Sequence, residues 1–119
     1  MKREILFKAK RVDNLKWVEG YYTHLNKKFN PCIHVGIVEV YEIIPETLGQ
    51  YTGVTDMNGK KIFEGDISKV DTIHPSKDVV CKWNHSQYRW SWYLIESNNI
   101  YCHLGEGSGE PEITGNIHD

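Results

Sequence analysis

The sequence predicts a mainly β protein: a small antiparallel barrel or sandwich, SH3-like or PUA-like in its C-terminal half, with an N-terminal hairpin and at most one or two short helical turns. Three observations lead there. Apolar residues alternate with polar ones or fall in short runs, and no window sustains a helical period. Those runs are rich in Val, Ile and aromatic residues, which suit a pleated surface. Turn residues interrupt them at short intervals, as a compact antiparallel fold requires. A chain of 119 residues suits one domain, 1–119. A hydrophobic share of 39%, before ten glycines are counted, is enough for a core without disulfides or metal.

Ile5-Leu6-Phe7 runs to the polar turn Asp13-Asn14, and Lys16 to Tyr22 resumes the strand pattern, which predicts a hairpin. His24 to Pro31 is a polar loop. Cys32 to Ile44 is one long strand or two short ones around Gly36. Pro45-Glu46-Thr47-Leu48 suits a single helical turn, with Pro at its first position and Gly49 to end it. Tyr51 to Val54 and Lys61 to Phe63 flank Asp56-Met57-Asn58-Gly59, the strongest turn signal in the chain, because Asn-Gly accepts positive φ angles. Gly65-Asp66 launches Ile67 to Val70, and His74-Pro75-Ser76 breaks that strand. Val79 to Trp83, Tyr88 to Ile95 and Ile100 to Leu104 are three further strands. Gly105 to Gly109 is an acidic loop, and Glu112 to Ile117 a last short strand.

The formal net charge of −2 does not advertise a nucleic-acid or membrane partner. It conceals an asymmetry. The first sixteen residues hold Lys2, Arg3, Lys8, Lys10, Arg11 and Lys16 against Glu4 and Asp13, whereas the last fourteen have four carboxylates and no Lys or Arg. Cys32, Cys81 and Cys102 are odd in number with no CxxC pair, which fits free thiols in a reducing cytosol. No apolar run approaches the length of a membrane span, and the basic start lacks the apolar stretch of a signal peptide. A soluble cytoplasmic protein is the expectation, with no cofactor.

Several blocks together resemble one family. The opening Arg3 to Lys10 followed by Trp17-Val18-Glu19-Gly20, the block Glu46 to Ile67, and the ending Ile113 to Ile117 are similar to YopX-type proteins. Within the central block the resemblance runs through Gln50, Tyr51, Thr52 and Gly53, then Asp56, Asn58 and Gly59, then Gly65 and Asp66. It implies a small phage or prophage product of a bacterial host, and it brings no established activity and no catalytic residue. Gly20 to Ile44 and His74 to His103 match no motif of that family.

The residues that could carry chemistry each have a plain structural role as well. Glu64-Gly65-Asp66 holds two carboxylates, but before a strand Asp serves as an acceptor for nearby amides. Cys32-x-His34, Cys81-x-x-x-His85 and Cys102-His103 suggest zinc or a Cys–His nucleophile. None has knuckle spacing, and Cys102 and His103 point to opposite faces of a strand, so neither a metal site nor an enzyme is expected. On the aromatic strand, Tyr88, Trp90, Trp92 and Leu94 share a face read as core, leaving Arg89 and Tyr93 exposed opposite. The basic hairpin with Lys8, Lys10, Arg11 and Lys16 is the best electrostatic candidate for a contact, though charge on edge strands also prevents aggregation. The expectation is a non-catalytic module that binds another protein or its own copies through β-edges and aromatic surface. The alternative is a small-barrel binder of single-stranded nucleic acid that uses the basic hairpin and Arg89.

Overall fold

Strands Phe7–Lys10 (β1) and Trp17–Thr23 (β2) form the expected hairpin in the computed structural model, which describes residues 5–24, 30–70, 77–105 and 110–119. The chain divides into two compact units, Met1–Tyr51 and Thr52–Asp119, each with its own hydrophobic cluster.

In the first unit the hairpin turn is closed by Arg11 N–H donating to the Lys16 carbonyl at 2.9 Å, and Asn14 Oδ1 accepts from Lys16 N–H at 2.9 Å. Cys32–Val35 (β3) and Glu39–Glu42 (β4) are two short strands, parted at Gly36, where φ is +67°. The polar loop expected over His24 to Pro31 falls mostly on 25–29, outside the described residues. Alternation sends Phe7, Ala9, Val18, Tyr22, Ile33 and Val35 to one face, where Ala9, Ile33 and Ile43 are fully buried. Each large aliphatic buried there contributes about 1.5–3 kcal/mol.

This ladder closes on itself. Arg11 and Ile43 form an antiparallel bridge, with Val12 N–H donating to the Glu42 carbonyl at 3.0 Å and Ile44 N–H to the Lys10 carbonyl at 2.9 Å. The far end of β4 is thereby tied back to the end of β1, giving a barrel-like ring. Pro45–Thr47 makes a single 3-10 turn, the one helical element among the described residues. Thr47 Oγ1 accepts from Lys10 N–H at 2.8 Å and fixes the turn to β1. Gly49–Thr55 (β5) begins here, pairing Gly49 and Gln50 with Lys8 and Phe7.

In the second unit the remainder of β5 pairs with Lys61–Phe63 (β6) around the Asp56–Gly59 turn. Then come Asp66–Val70 (β7), Lys77–Asn84 (β8), Arg89–Leu94 (β9), Ile100–His103 (β10) and Ile113–Asn116 (β11). They form an antiparallel sheet in the order β10-β9-β8-β7-β11. The break expected at His74-Pro75-Ser76 and most of the Gly105–Gly109 loop lie outside the described residues. Ile62, Val70, Val79, Cys81, Trp92, Leu104 and Ile113 make the core, and Trp83 and Trp90, paired across β8 and β9, meet edge to face at 5.2 Å.

The mainly β antiparallel class is therefore what the chain adopts, and one detail differs. Tyr88, grouped with Trp90 and Trp92 as a core residue, is in the turn before β9, with φ +54° and 81% exposure. The hairpin needs a residue with a left-handed backbone there, and that requirement overrides the apparent alternation.

Gly20 has the tightest packing of the glycines. A Cβ at that position would lie 2.1 Å from the His34 carbonyl oxygen, a backbone atom that cannot move aside. We expect Gly20→Ala to destabilise the first unit by about 3 kcal/mol, the upper end of what overpacking costs, because the clash is with backbone. Urea unfolding followed by tyrosine and tryptophan fluorescence reads this out, and a midpoint equal to wild type would contradict it.

Candidate functional site

The block that carries the family resemblance builds scaffold. The carboxylate of Asp56 is buried and accepts three backbone N–H groups: those of Asn58 at 2.8 Å and Lys60 at 2.9 Å through Oδ1, and that of Ile113 at 3.0 Å through Oδ2. Burial works to raise its pKa, but these three donors and the Lys60 charge outweigh it and hold the carboxyl below the usual range. Gly59 has φ +79°, and its N–H donates to the Asp56 carbonyl, closing the turn. Thr52 Oγ1 donates to the Ile62 carbonyl and accepts from Val54 N–H, bracing the backbone on either side of Gly53, where φ is +88°. Gln50 is half-buried opposite Phe7, and buried Tyr51 donates its N–H to the Leu6 carbonyl.

Asp66 is also an acceptor. It is fully buried, takes the Phe63 N–H at 2.8 Å on Oδ2, and takes the Asn116 side-chain amide at 2.9 Å on Oδ1. Gly65, at φ +90°, packs its Cα against that same Asn116. A carboxylate so enclosed is poorly placed to work on a substrate.

The Cys/His pairs do not converge, and no three His, Cys, Asp or Glu side chains among the described residues gather as a metal site would need. His34 shares a 2.8 Å hydrogen bond with Thr23, and His103 one of 2.6 Å with Ser91. Cys81 is fully buried, and burial pushes its thiol far up, with the charges of Asp66, Glu64 and Glu110 adding to the effect. That is the reverse of an activated nucleophile.

Sequence reasoning missed Glu110, which it counted only as part of an acidic tail. Its carboxylate is buried, with Oε1 accepting from Trp92 Nε1 at 3.0 Å and Oε2 from Gly105 N–H at 3.3 Å. The available signal was Trp92 itself, because a buried indole N–H requires an acceptor.

The basic hairpin residues separate into two settings. Lys8 and Lys10 are on one face of β1, and their ammonium groups sit 4.7 Å and 5.7 Å from the Trp17 ring centroid. Tyr21, 64% exposed, shares that face of β2 with Trp17. Lys16 is exposed at the turn. Arg11 faces elsewhere: it makes a two-pronged pair with Asp13, at 2.9 and 2.6 Å, and stacks 3.9 Å from the Tyr41 ring centroid. The Arg11 hydrogen bond holds the Asp13 carboxyl below its ordinary range. Arg89 and Tyr93, expected on an exposed face of β9, are half-buried. Arg89 Nη2 donates to the Leu104 carbonyl at 3.3 Å, and Lys82 lies over the Tyr93 ring at 5.6 Å. Their face holds buried Val80, Asn84 and Ser91 beside exposed Lys82, so it is only partly open.

The most exposed large apolar residues among those described lie where charge counting did not point. The turn from β3 to β4 carries Ile37 fully exposed and Val38 at 87%, and Val40 on β4 is half-exposed. Beside them is an open cleft of about 240 Å³ lined by Val12, Asp13, Val40, Tyr41 and Glu42. Apolar residues at a turn that should be polar were the available sequence signal.

The model of the family described as YopX protein matches residues 6–119. No curated protein matches the chain.

Two measurements test this account. Because the Asp56 pKa is depressed in the folded protein, its stabilisation is fully present above the unfolded value of about 4 and lost as pH falls through the lower folded value. Asp56→Asn should therefore cost about 1–3 kcal/mol at neutral pH, since an amide N–H₂ then confronts Ile113 N–H, and should flatten the acid limb of stability against pH. An acid limb identical to wild type would count against Asp56. In a Cys32→Ser, Cys102→Ser double variant, Cys81 should react with a thiol reagent only on unfolding, and labelling as fast as in the denatured chain would refute its enclosure.

Proposed function

The chain belongs to the YopX family, and we propose that the protein is a non-catalytic binding module. Its contact is with another protein or with its own copies, made through a β-edge of the first unit. It serves as a phage or prophage accessory protein in the host cytoplasm. That Cys32, Cys81 and Cys102 form no disulfide is in keeping with that compartment. No helix among the described residues is long and apolar enough to cross a membrane. The observation that carries the reading is the exposed Ile37-Val38-x-Val40 stretch, which runs from the β3–β4 turn onto edge strand β4. Contiguous exposed apolar surface at a sheet edge commonly marks an interaction site. Arguing against an enzyme, the buried carboxylates bond to backbone and side-chain N–H groups, and the buried thiol is protonated.

A second reading has one observation in its favour. Lys8, Lys10, Trp17 and Tyr21 place two cations and two aromatic rings on one sheet face, the composition of a single-strand binding platform. The ammonium groups already lie against the Trp17 ring, so a stacking base would have to displace them.

A photo-crosslinking amino acid at Val38 should give a discrete covalent adduct in producing cells, resistant to nuclease and absent when the group is placed at exposed Met57. Absence of any adduct at Val38 would overturn the protein-contact reading. The nucleic-acid reading expects binding of an oligo-dT that falls steeply with salt and is lost in a Lys8→Ala, Lys10→Ala variant.

A further inference from the structure

We propose that the open edge of β4 takes an extended, basic segment of another protein as an added strand, with the Val12–Val40–Tyr41 cleft receiving one of its apolar side chains. This rests on the binding-module reading and names the partner chemistry for it.

The backbone argument comes first. Glu42 presents its carbonyl away from β3, because that oxygen accepts from Val12 N–H. In a strand the residue two positions away aims its N–H and C=O to the same side, so Val40 presents both groups outward as well. Beyond Val12 the chain turns off into the β1–β2 hairpin. The edge is therefore paired at Glu42 and Ile43 and open at Val40, next to the cleft. A strand added there completes main-chain hydrogen bonds, and alternate side chains reach the cleft, which is the physics of strand addition.

Charge selects the occupant. Asp13, Glu39 and Glu42 surround the edge, and the neighbouring cation, Arg11, is committed to Asp13 and stacked on Tyr41. The rim thus favours Lys or Arg and repels phosphate, which turns away a nucleic acid. It also disfavours a second copy, whose own β4 edge would bring the same Asp13, Glu39 and Glu42 carboxylates against a rim that already carries them. The apolar positions Ile37, Val38 and Val40 call for alternating aliphatic residues between those basic ones.

The test uses the full chain and a fluorescein-labelled peptide of alternating Lys and Val, about eight residues long to match a strand, read by anisotropy. Two controls of the same length alternate Glu with Val and Lys with Ser. Val40→Pro removes an N–H that faces the open edge, where proline is tolerated, and near-UV circular dichroism verifies its fold. We expect the Lys-Val peptide to bind wild type, and its Kd to rise about tenfold or more in Val40→Pro and in Glu39→Lys, Glu42→Lys. The Glu-Val peptide should bind only the latter variant, and the Lys-Ser peptide should bind weakly throughout. Lys-Val binding unchanged by Val40→Pro, or no Lys-Val binding at all, overturns the proposal. So does a wild-type dimer in sedimentation that Val40→Pro dissociates, which would make a second copy the occupant. A nuclease-resistant adduct at Val38 together with peptide binding indifferent to Val40→Pro would leave the binding module standing and remove the strand addition alone. Loss of both results would remove both.

Discussion

The second unit depends on a buried carboxylate, that of Asp56. Asp56 holds its own turn through Asn58 and Lys60 and, with its other oxygen, takes the first N–H of the last strand, that of Ile113. A contact spanning most of the unit's sequence is thereby set by the residue that also shapes the tightest turn. The side chain of Ile113 is in the core beside Ile62 and Trp92, so the position of that strand decides whether the core closes. Asp66 repeats the device ten residues later, joining Phe63 N–H to the Asn116 amide. Buried carboxylates are tolerated here because their hydrogen-bonding capacity is met largely by N–H donors, which offset the cost of leaving water.

The first unit is organised differently, and its openness follows from its size. Its core rests on Ala9, Ile33 and Ile43, with half-buried neighbours, and a sheet that small must curl to cover its apolar face. Gly20 permits the curl by letting the His34 carbonyl come where a side chain would stand. Closure through Arg11 and Ile43 then consumes part of the β4 edge, but the hairpin turn departs before it reaches Val40. The Arg11 guanidinium stacks on the Tyr41 ring near the point where the two segments diverge.

Much of this was legible from residue patterns, for reasons that differ by element. Turn chemistry is local, so Asn58-Gly59, Gly65-Asp66 and the Pro45 turn read correctly from a few residues each. The division at Gly36 into two strands was one of two readings that alternation allowed, and the positive φ there decides it. Alternation identified the Trp90, Trp92 and Leu94 face as core, because both strands beside it keep period two. It failed at Tyr88, where the hairpin's backbone demand won, and at Arg89 and Tyr93, because period two assigns a face but cannot say whether that face is covered. Glu110 was illegible as a core acceptor for a similar reason: its partner is a side chain eighteen positions away.

The same logic separates the residues that carry the family resemblance from those that face outward. Thr52, Asp56, Gly59, Gly65 and Asp66 are committed to turns, strand starts and N–H groups, so they specify a shape rather than a chemistry. The surface with unmet demand lies in the stretch from Gly20 to Ile44, where no motif was recognised. There, valine and isoleucine stand in water at considerable cost, close to carboxylates that discourage self-pairing without covering them. An edge that is apolar, partly unpaired and guarded by one sign of charge is poorly protected against a complementary strand and well protected against its own. That asymmetry is what a selective strand-accepting edge requires, and nothing in the scaffold of either unit calls for it.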